Sequence, residues 1–528
     1  MPLPGCPAFQ AARKIIETVV MMLDLRKRYQ QGWALLCLML PIMFLFASCR
    51  QETEIQEEGA HNETMYEAKP DKSIQGLIGV AEDRWQFADV ATGEAFVPFG
   101  ANYYDPHTGW APKLWEQFDE GAVEEHFKQL KSIHANVARV FFTVMSFMPE
   151  SNAVSEEGLA KFDQMIALAK KYGIKLLMSG PDLWEGQPSW YGGNLFASEN
   201  IIREYEHFWT VIGEKYGNEP AIFAWDLYNE PQIGWGGNYE SDDKWRNWLQ
   251  DKYGSMDKLK QAWGDGAETE QDFSFIDVPE RAYKKDDMKL YDYQLFREDA
   301  AAAWTERMVK AIRTHDQNHL ITIGMVNPIP FEDVSDPAIS FVGFNPHKLQ
   351  HLLDFMSVHY YPLKMDPWAA PDSMKRELNR MLMWLRYSYV GKPIMIGEFG
   401  WYGGGSVDTN AAERSQEEQA EWCKALIEAS IGNSTAWATW PVYDTPDATD
   451  ISKFGGLFDA DGKMKVWGSV FGQLSQQELV KPRENGEQTI TLPMKSLYTD
   501  YDAQHQMFSD IMDLLNKGVK LNFKLDYN

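Results

Sequence analysis

The sequence predicts an α/β protein built as a single eight-fold (β/α)8 barrel, a TIM barrel, and three observations support this. Strand-like apolar runs alternate with amphipathic helices over most of the 528 residues. Two of the runs, starting at Ala221 and Pro393, lead into Asn229-Glu230-Pro231 and Glu398-Phe399-Gly400. A buried parallel strand that ends in a carboxylate is how such barrels present chemistry at their carboxyl face. No glycine-rich dinucleotide loop accompanies the strands, which disfavours the alternative, a doubly wound open sheet.

The elements follow in order. Trp85-Gln86-Phe87 and Ala95 to Phe99 flank Thr92-Gly93 and read as a hairpin running into a first barrel strand near Asn102-Tyr103-Tyr104. A helix over 122–133 precedes the strand 136–142. A helix over 157–172 stops at Gly173, a C-terminal glycine, and the strand 174–178 follows. A helix over 201–216 leads to the fourth strand, 221–228. An interruption over 232–294, dense in charge and tryptophan, contains helices over 243–253 and 256–263. The alternation resumes with a helix over 300–314 and strands over 320–325 and 355–361. Helices over 374–389 and 417–431 then precede strands over 393–398 and 435–440, and a last helix starts near Val466. The catalytic barrel is expected over 77–475. Residues 476–528 form a small appendage whose role is not legible.

The amino terminus belongs outside this fold. Arg26-Lys27-Arg28 precedes an apolar run from Trp33 to Ala47 and then Ser48-Cys49, the make-up of a secretory leader over 1–48. The box before Cys49 resembles that of bacterial lipoproteins, which makes Cys49 the expected lipidated first residue of an exported, membrane-anchored protein. A single transmembrane anchor is the competing reading, but the run is shorter than the ~20 apolar residues a span needs. Met21 or Met22 is a candidate true start. An acidic, polar tether is expected over 49–76.

With Cys6 and Cys37 in the leader and Cys49 lipidated, only Cys423 remains, so no intrachain disulfide forms. Cys423 lies in a helix pattern and reads as packing. Removing the leader leaves 45 basic and 75 acidic residues. So acidic a chain argues against nucleic acid and polyanionic glycans as ligands, and is compatible with a neutral polysaccharide. The 20 tryptophans and 23 tyrosines are mostly core material, although flat rings with polar edges also suit sugar faces. No His, Cys or carboxylate cluster has zinc or calcium spacing, so no metal or cofactor is expected.

Polar groups recur at strand ends: Arg139 on the second strand, Asn229 and Glu230 on the fourth, His359 and Tyr361 on the sixth, Glu398 on the seventh, Trp440 on the eighth. This set resembles glycoside hydrolase family 5, and more broadly the clan of retaining barrel glycosidases with glutamates on strands four and seven. The resemblance covers roughly residues 80–475. It implies Glu230 as general acid/base and Glu398 as nucleophile, with carboxyls about 5–5.5 Å apart. Glu230 then needs surroundings that keep it protonated, and Arg139 can keep Glu398 ionised. The resemblance further implies that Tyr361 donates to Glu398, His359 tunes Glu230, Asn229 holds the sugar 2-hydroxyl and Trp440 forms a floor beneath the sugar.

Many cellulases of that family carry a leucine-histidine pair after strand three. Here the place reads Gly180-Pro181-Asp182-Leu183-Trp184. A tryptophan at Trp184 resembles the mannan-cleaving branches and tilts the expected substrate towards β-mannosides. The stretch from Trp248 to Gly264 resembles a helical insertion of family 42 β-galactosidases, which favours exo action. Trp184, Trp190, Trp235, Trp401 and Tyr443 are candidate sugar platforms. The function expected is cleavage of a neutral β-linked glycan. A non-catalytic glycan-binding lipoprotein, an exo-acting β-galactosidase or β-mannosidase, and a transglycosylase using the same residues are the alternatives.

Overall fold

The computed structural model describes residues 66–108, 113–362 and 364–528. The expected leader, Cys49 and most of the tether lie outside the described residues. Eight parallel strands close into a barrel: β1 (Phe99–Asn102), β2 (Val137–Thr143), β3 (Lys175–Asp182), β4 (Ile222–Asn229), β5 (Leu320–Met325), β6 (Met356–Tyr360), β7 (Ile394–Phe399) and β8 (Ala436–Thr439). Their order around the barrel is their order in sequence, closed by β8 pairing with β1. Nearly every strand residue is buried, as expected of strands covered by side chains inside and helices outside.

The barrel helices are α1 (Glu120–Ser132), α2 (Glu156–Tyr172), α3 (Glu199–Tyr216), α6 (Met288–Arg313), α7 (Ser373–Tyr387), α8 (Gln416–Ser430) and α9 (Val466–Leu474). The insertion adds α4 (Tyr239–Tyr253) and α5 (Met256–Trp263). Their ends carry local signals. Ser155 caps α2 through Gly158 N–H, and Gly173 closes it in the left-handed region at φ 66°. Ser415 and Glu418 form a reciprocal capping box on α8. Among the described residues between β5 and β6 there are only one-turn helices, Pro337–Ser340 and Pro346–Leu349.

The amino-terminal mouth of the barrel is plugged. A three-stranded sheet (Ile78–Val80, Phe87–Asp89, Ala95–Phe96) sets Phe87 edge-on against Phe223 and Phe355, each at 5.3 Å. Val137, Leu177, Leu320, Met395 and Ala436 complete that cluster. Gly100 lets β1 approach β2, since a Cβ there would lie 1.8 Å from the Val137 carbonyl oxygen. The aromatic load serves packing: Trp115, Trp209, Trp225, Trp245, Trp304, Trp422, Trp437 and Trp467 are fully buried.

Three expected boundaries change. Packed chain begins before Leu77: Tyr66 is buried and bonds Glu306, and the Ala68 N–H donates to Asp354, so the tether does not extend to 76. Helix α6 starts at Met288 rather than near Ala300, capped by Asp287. Its first turns support the insertion, whose own core joins Trp245, Leu249, Leu259, Trp263, Ile276, Tyr293 and Phe296. The insertion therefore ends on a helix shared with the barrel, not at 294.

The appendage is built from the parallel pair β9 (Gln488–Pro493) and β10 (Leu521–Asp526), with α10 (Tyr501–Asn516) between them. It is stapled to α6 through Glu298, a fully buried carboxyl bonded by the Tyr498 hydroxyl and, at 2.6 Å, by the Asn345 amide. The Tyr291 hydroxyl also donates to the Tyr527 carbonyl at 2.8 Å. No described helix is long and apolar enough to cross a membrane. Tyr498→Phe leaves Glu298 short of a donor and should cost about 1–3 kcal/mol in urea unfolding. An unchanged midpoint would show that the appendage is not held through this carboxyl.

Candidate active site

Arg139 projects from β2 into the barrel axis, fully buried, with its guanidinium 4.6 Å from the Phe141 ring centroid. A buried cation must be paired and fully bonded to persist. Its Nε and Nη2 donate to Asp226 Oδ2 at 2.9 and 2.6 Å. Nη1 donates to Glu398 Oε1 at 2.6 Å and to Asn102 Oδ1 at 2.9 Å. Nη2 also donates to Asn229 Oδ1 at 2.9 Å and Ser179 Oγ at 3.1 Å. One side chain thus joins β1, β2, β3, β4 and β7 at the carboxyl face, and only a planar five-donor fork can do this.

Each partner is itself fixed. Asp226 Oδ1 accepts the Gly324 N–H at 2.9 Å. Asn102 Nδ2 donates to the carbonyls of Gly397, Thr439 and Ala438 at 3.0, 3.2 and 3.4 Å, tying β1 to β7 and β8. Glu398 Oε2 accepts the Tyr361 hydroxyl at 2.8 Å. His359 Nδ1 lies 3.0 Å from Glu230 Oε1 and 3.4 Å from Glu398 Oε1. Its ring is slotted between two strands by glycines: a Cβ at Gly324 or Gly397 would sit 2.7 or 3.1 Å from Nε2.

Glu230 holds a left-handed backbone at φ 48°, and its N–H donates to the Gly324 carbonyl at 2.9 Å. A non-glycine residue there costs on the order of 1–3 kcal/mol and persists when its surroundings dictate it. Oxygen atoms of Glu230 and Glu398 and a His359 nitrogen all lie within 4.8 Å of one another.

Burial raises both carboxyls above the ordinary glutamate range. Their partners then separate them. Arg139 and the Tyr361 hydroxyl pull Glu398 back towards its charged form, against the repulsion of Glu230. Arg139 alone pulls on Glu230, at longer range. Although 31% of the Glu230 side chain is exposed, its carboxyl is well enclosed, and it is the better placed of the two to hold a proton. Burial pushes His359 down to about 4, so the imidazole is neutral at neutral pH.

Of the aromatic candidates, Trp440 and Trp184 stand at the site. They form one cluster with Tyr104 and Phe141, and Tyr361 packs against it. Trp184 is half-buried, 4.7 Å from Phe141, and Trp440 is 6% exposed. The other candidates do not join this cluster. Trp235 turns into the insertion, bonding the Pro279 carbonyl and carrying Arg297 on its ring. Trp401 and Tyr443 are buried, and Tyr443 bonds Gln129. Trp190 is half-buried and donates to the Met148 carbonyl.

Sequence reasoning missed Asn102, Ser179 and Asp226. Asp226 carried a signal, because a charge inside a wholly buried strand must have a buried counter-charge. It also missed Asp182 at the end of β3, 5% exposed, its Oδ2 without a partner and its pKa pushed up to about 8 by burial.

Residues 191–400 match the family model of β-galactosidase, Glyco_hydro_42. Parts of the chain are similar in sequence to glycosidases of two substrate types. A probable mannan endo-1,4-β-mannosidase F of Aspergillus flavus is 28% identical over 163 residues, 26% of this chain and 34% of that protein. The β-galactosidase BgaP of Planococcus sp. is 32% identical over 246 residues, 44% of this chain and 32% of that protein. These matches span about a third of the length of the curated relatives. An exo-β-1,4-mannosidase of Opitutaceae bacterium strain TAV5 shares the fold at TM-score 0.59 and 15% identity, covering 84% of this chain and 72% of that one.

Arg139→Met would leave Asp226 and Glu398 as buried charges without their cation. Denaturant unfolding should show a loss of about 3–5 kcal/mol, with Arg139→Lys recovering only part. A variant as stable as the parent would mean that one carboxyl is already protonated around the arginine.

Proposed function

We propose that the protein is a retaining glycoside hydrolase that cleaves a neutral β-linked glycan. The observation that carries this reading is the closeness of Glu230 and Glu398, one oxygen of each carboxyl lying within 4.8 Å of the other beside His359. Retaining enzymes hold their two carboxyls about 5–5.5 Å apart, whereas inverting enzymes need about 6.5–9.5 Å to admit a water.

Each residue then has a task. Protonated Glu230 gives its proton to the leaving glycosidic oxygen while ionised Glu398 attacks the anomeric carbon. The glycosyl-enzyme ester forms and the aglycone departs. Glu230, now a base, takes a proton from the incoming water, which breaks the ester and restores Glu398. Arg139 and Tyr361 hold the Glu398 oxygens in the attacking position. Asn229 has its carbonyl oxygen fixed by Arg139, which turns its amide donor towards the sugar 2-hydroxyl. Trp184 and Trp440 offer ring surface beside the cleavage point.

Membership of family 5 rather than family 42 remains part of this proposal. Strand-end residues and the mannosidase relatives support the first, and the matched family model supports the second. A β-mannoside is the favoured substrate, on the mannosidase relatives and on Trp184 at the end of β3. A β-galactoside is the second reading, supported by the match over 191–400, which includes the insertion. A lipid anchor at Cys49 would hold the enzyme at an exported membrane face, a reading supported by the leader pattern alone.

Two experiments test this. A panel of mannan, glucan, xylan and galactan, with aryl β-mannoside and β-galactoside, should give turnover on one class and none in Glu398→Ala. Glycan binding without product release would support a binding protein, and longer oligosaccharide products would support transglycosylation. In a pH profile of kcat/KM, activity should rise as Glu398 loses its proton, above the ordinary glutamate range, and fall as Glu230 loses its own. Glu230→Gln should remove the alkaline fall and lower turnover of poor leaving groups about 100- to 10,000-fold. An alkaline limb that survived in Glu230→Gln would assign the acid to another residue.

A further inference from the structure

We propose that Asp105, His107 and His126 form a binding site for a divalent transition-metal ion of the zinc type, tying the loop after β1 to α1. The site is separate from the Glu230–His359–Glu398 group. Asp105 and His107 lie in and beside the 3-10 turn Pro106–Thr108, and His126 projects from α1. One nitrogen of each histidine and one Asp105 oxygen lie within 4.8 Å of one another.

The donor set and its spacing suit such an ion. Two imidazoles and a carboxylate are the N and O ligands that zinc takes, at about 2.0–2.2 Å. Tetrahedral placement at that radius puts ligand atoms roughly 3.3 Å apart, and His107 Nδ1 already lies 3.2 Å from Asp105 Oδ1. The two imidazole planes are within 11° of parallel, with centroids 6.5 Å apart. Water would complete the shell on the His107 side, where the side chain is 66% exposed.

An outer layer is present too. The Tyr103 hydroxyl lies 2.9 Å from His126 Nδ1, the type of bond that fixes a ligating imidazole and leaves Nε2 for the ion. Tyr443 packs 4.7 Å from the His126 ring and holds it in place. Asp105 is itself 4% exposed and anchored, accepting the His107 N–H at 2.9 Å, while its carbonyl accepts the Thr108 hydroxyl at 2.8 Å. The ligands are split between a loop and a helix, so no local spacing in the sequence reveals them. An ion here would steady the segment that ends in Tyr104, whose ring leans on Trp440 at 5.6 Å.

The test is competition for zinc between the chelator-stripped full chain and a chromogenic chelator, read by absorbance. The parent should take up one equivalent. His107→Ala, Asp105→Asn and His126→Ala should each weaken binding about 100-fold or more, and Glu398→Gln should leave it unchanged. Cobalt in place of zinc should give the strong visible bands of a tetrahedral site, lost in His107→Ala. His107 is exposed, so that variant keeps the test informative if His126→Ala fails to fold. No stoichiometric uptake by the parent, or uptake undiminished in His107→Ala, would overturn the proposal. Loss of uptake in Glu398→Gln instead would place the ion between the two glutamates.

Discussion

The guanidinium of Arg139 is the fixed point of this molecule. It is the one group bonded at once to Asp226, Glu398, Asn102, Asn229 and Ser179. A cation so deeply buried persists only because two carboxylates and three neutral oxygens saturate its donors. The same saturation sets the order of the surrounding strands, since a slip in β2, β4 or β7 would break several bonds together. It also divides the two glutamates. Glu398 is bonded directly by the cation and the Tyr361 hydroxyl, while Glu230 is bonded by His359 and feels the cation only at longer range. Two like residues at the ends of like strands are thereby given unlike proton affinities.

The rest of the barrel serves this arrangement. The phenylalanine plug fills the barrel interior at the opposite end. Gly324 and Gly397 remove the two side chains that would displace His359 from its slot. The strained backbone of Glu230 is accepted because its N–H and its carboxyl are both held, by Gly324 and by His359. Stability and placement are coupled here: the buried charges cost folding energy and return it as geometry.

The barrel was legible because its signals are local and repeat. Apolar runs of strand length, glycine stops and amphipathic helices recur in order, and the eight strands appear within a few residues of where the runs lie. The strand-end glutamates were legible for the same reason. Contacts made across the barrel were not. Asp226 lay inside an apolar run and read as strand, although its charge called for a partner. Trp235 and Tyr443 read as loop aromatics, but Trp235 packs into the core of the insertion and Tyr443 under His126. The early start of α6 was hidden because its first turns face the insertion and not the barrel, which breaks the expected periodicity. The docking of Tyr66 was hidden because a single aromatic in a polar segment carries no pattern.

The relatives divide between mannosides and galactosides, and the residues around Arg139 do not distinguish those sugars. On the proposed reading the chemistry falls to the two carboxyls, and their spacing makes a stereochemical commitment that is independent of the sugar. The most direct measurement is proton NMR of the anomeric region during the first minutes of hydrolysis of a reactive β-glycoside. The account predicts that the β-anomer of the released sugar appears first and then mutarotates. First appearance of the α-anomer would contradict it, because a single inverting displacement does not pass through an ester on Glu398.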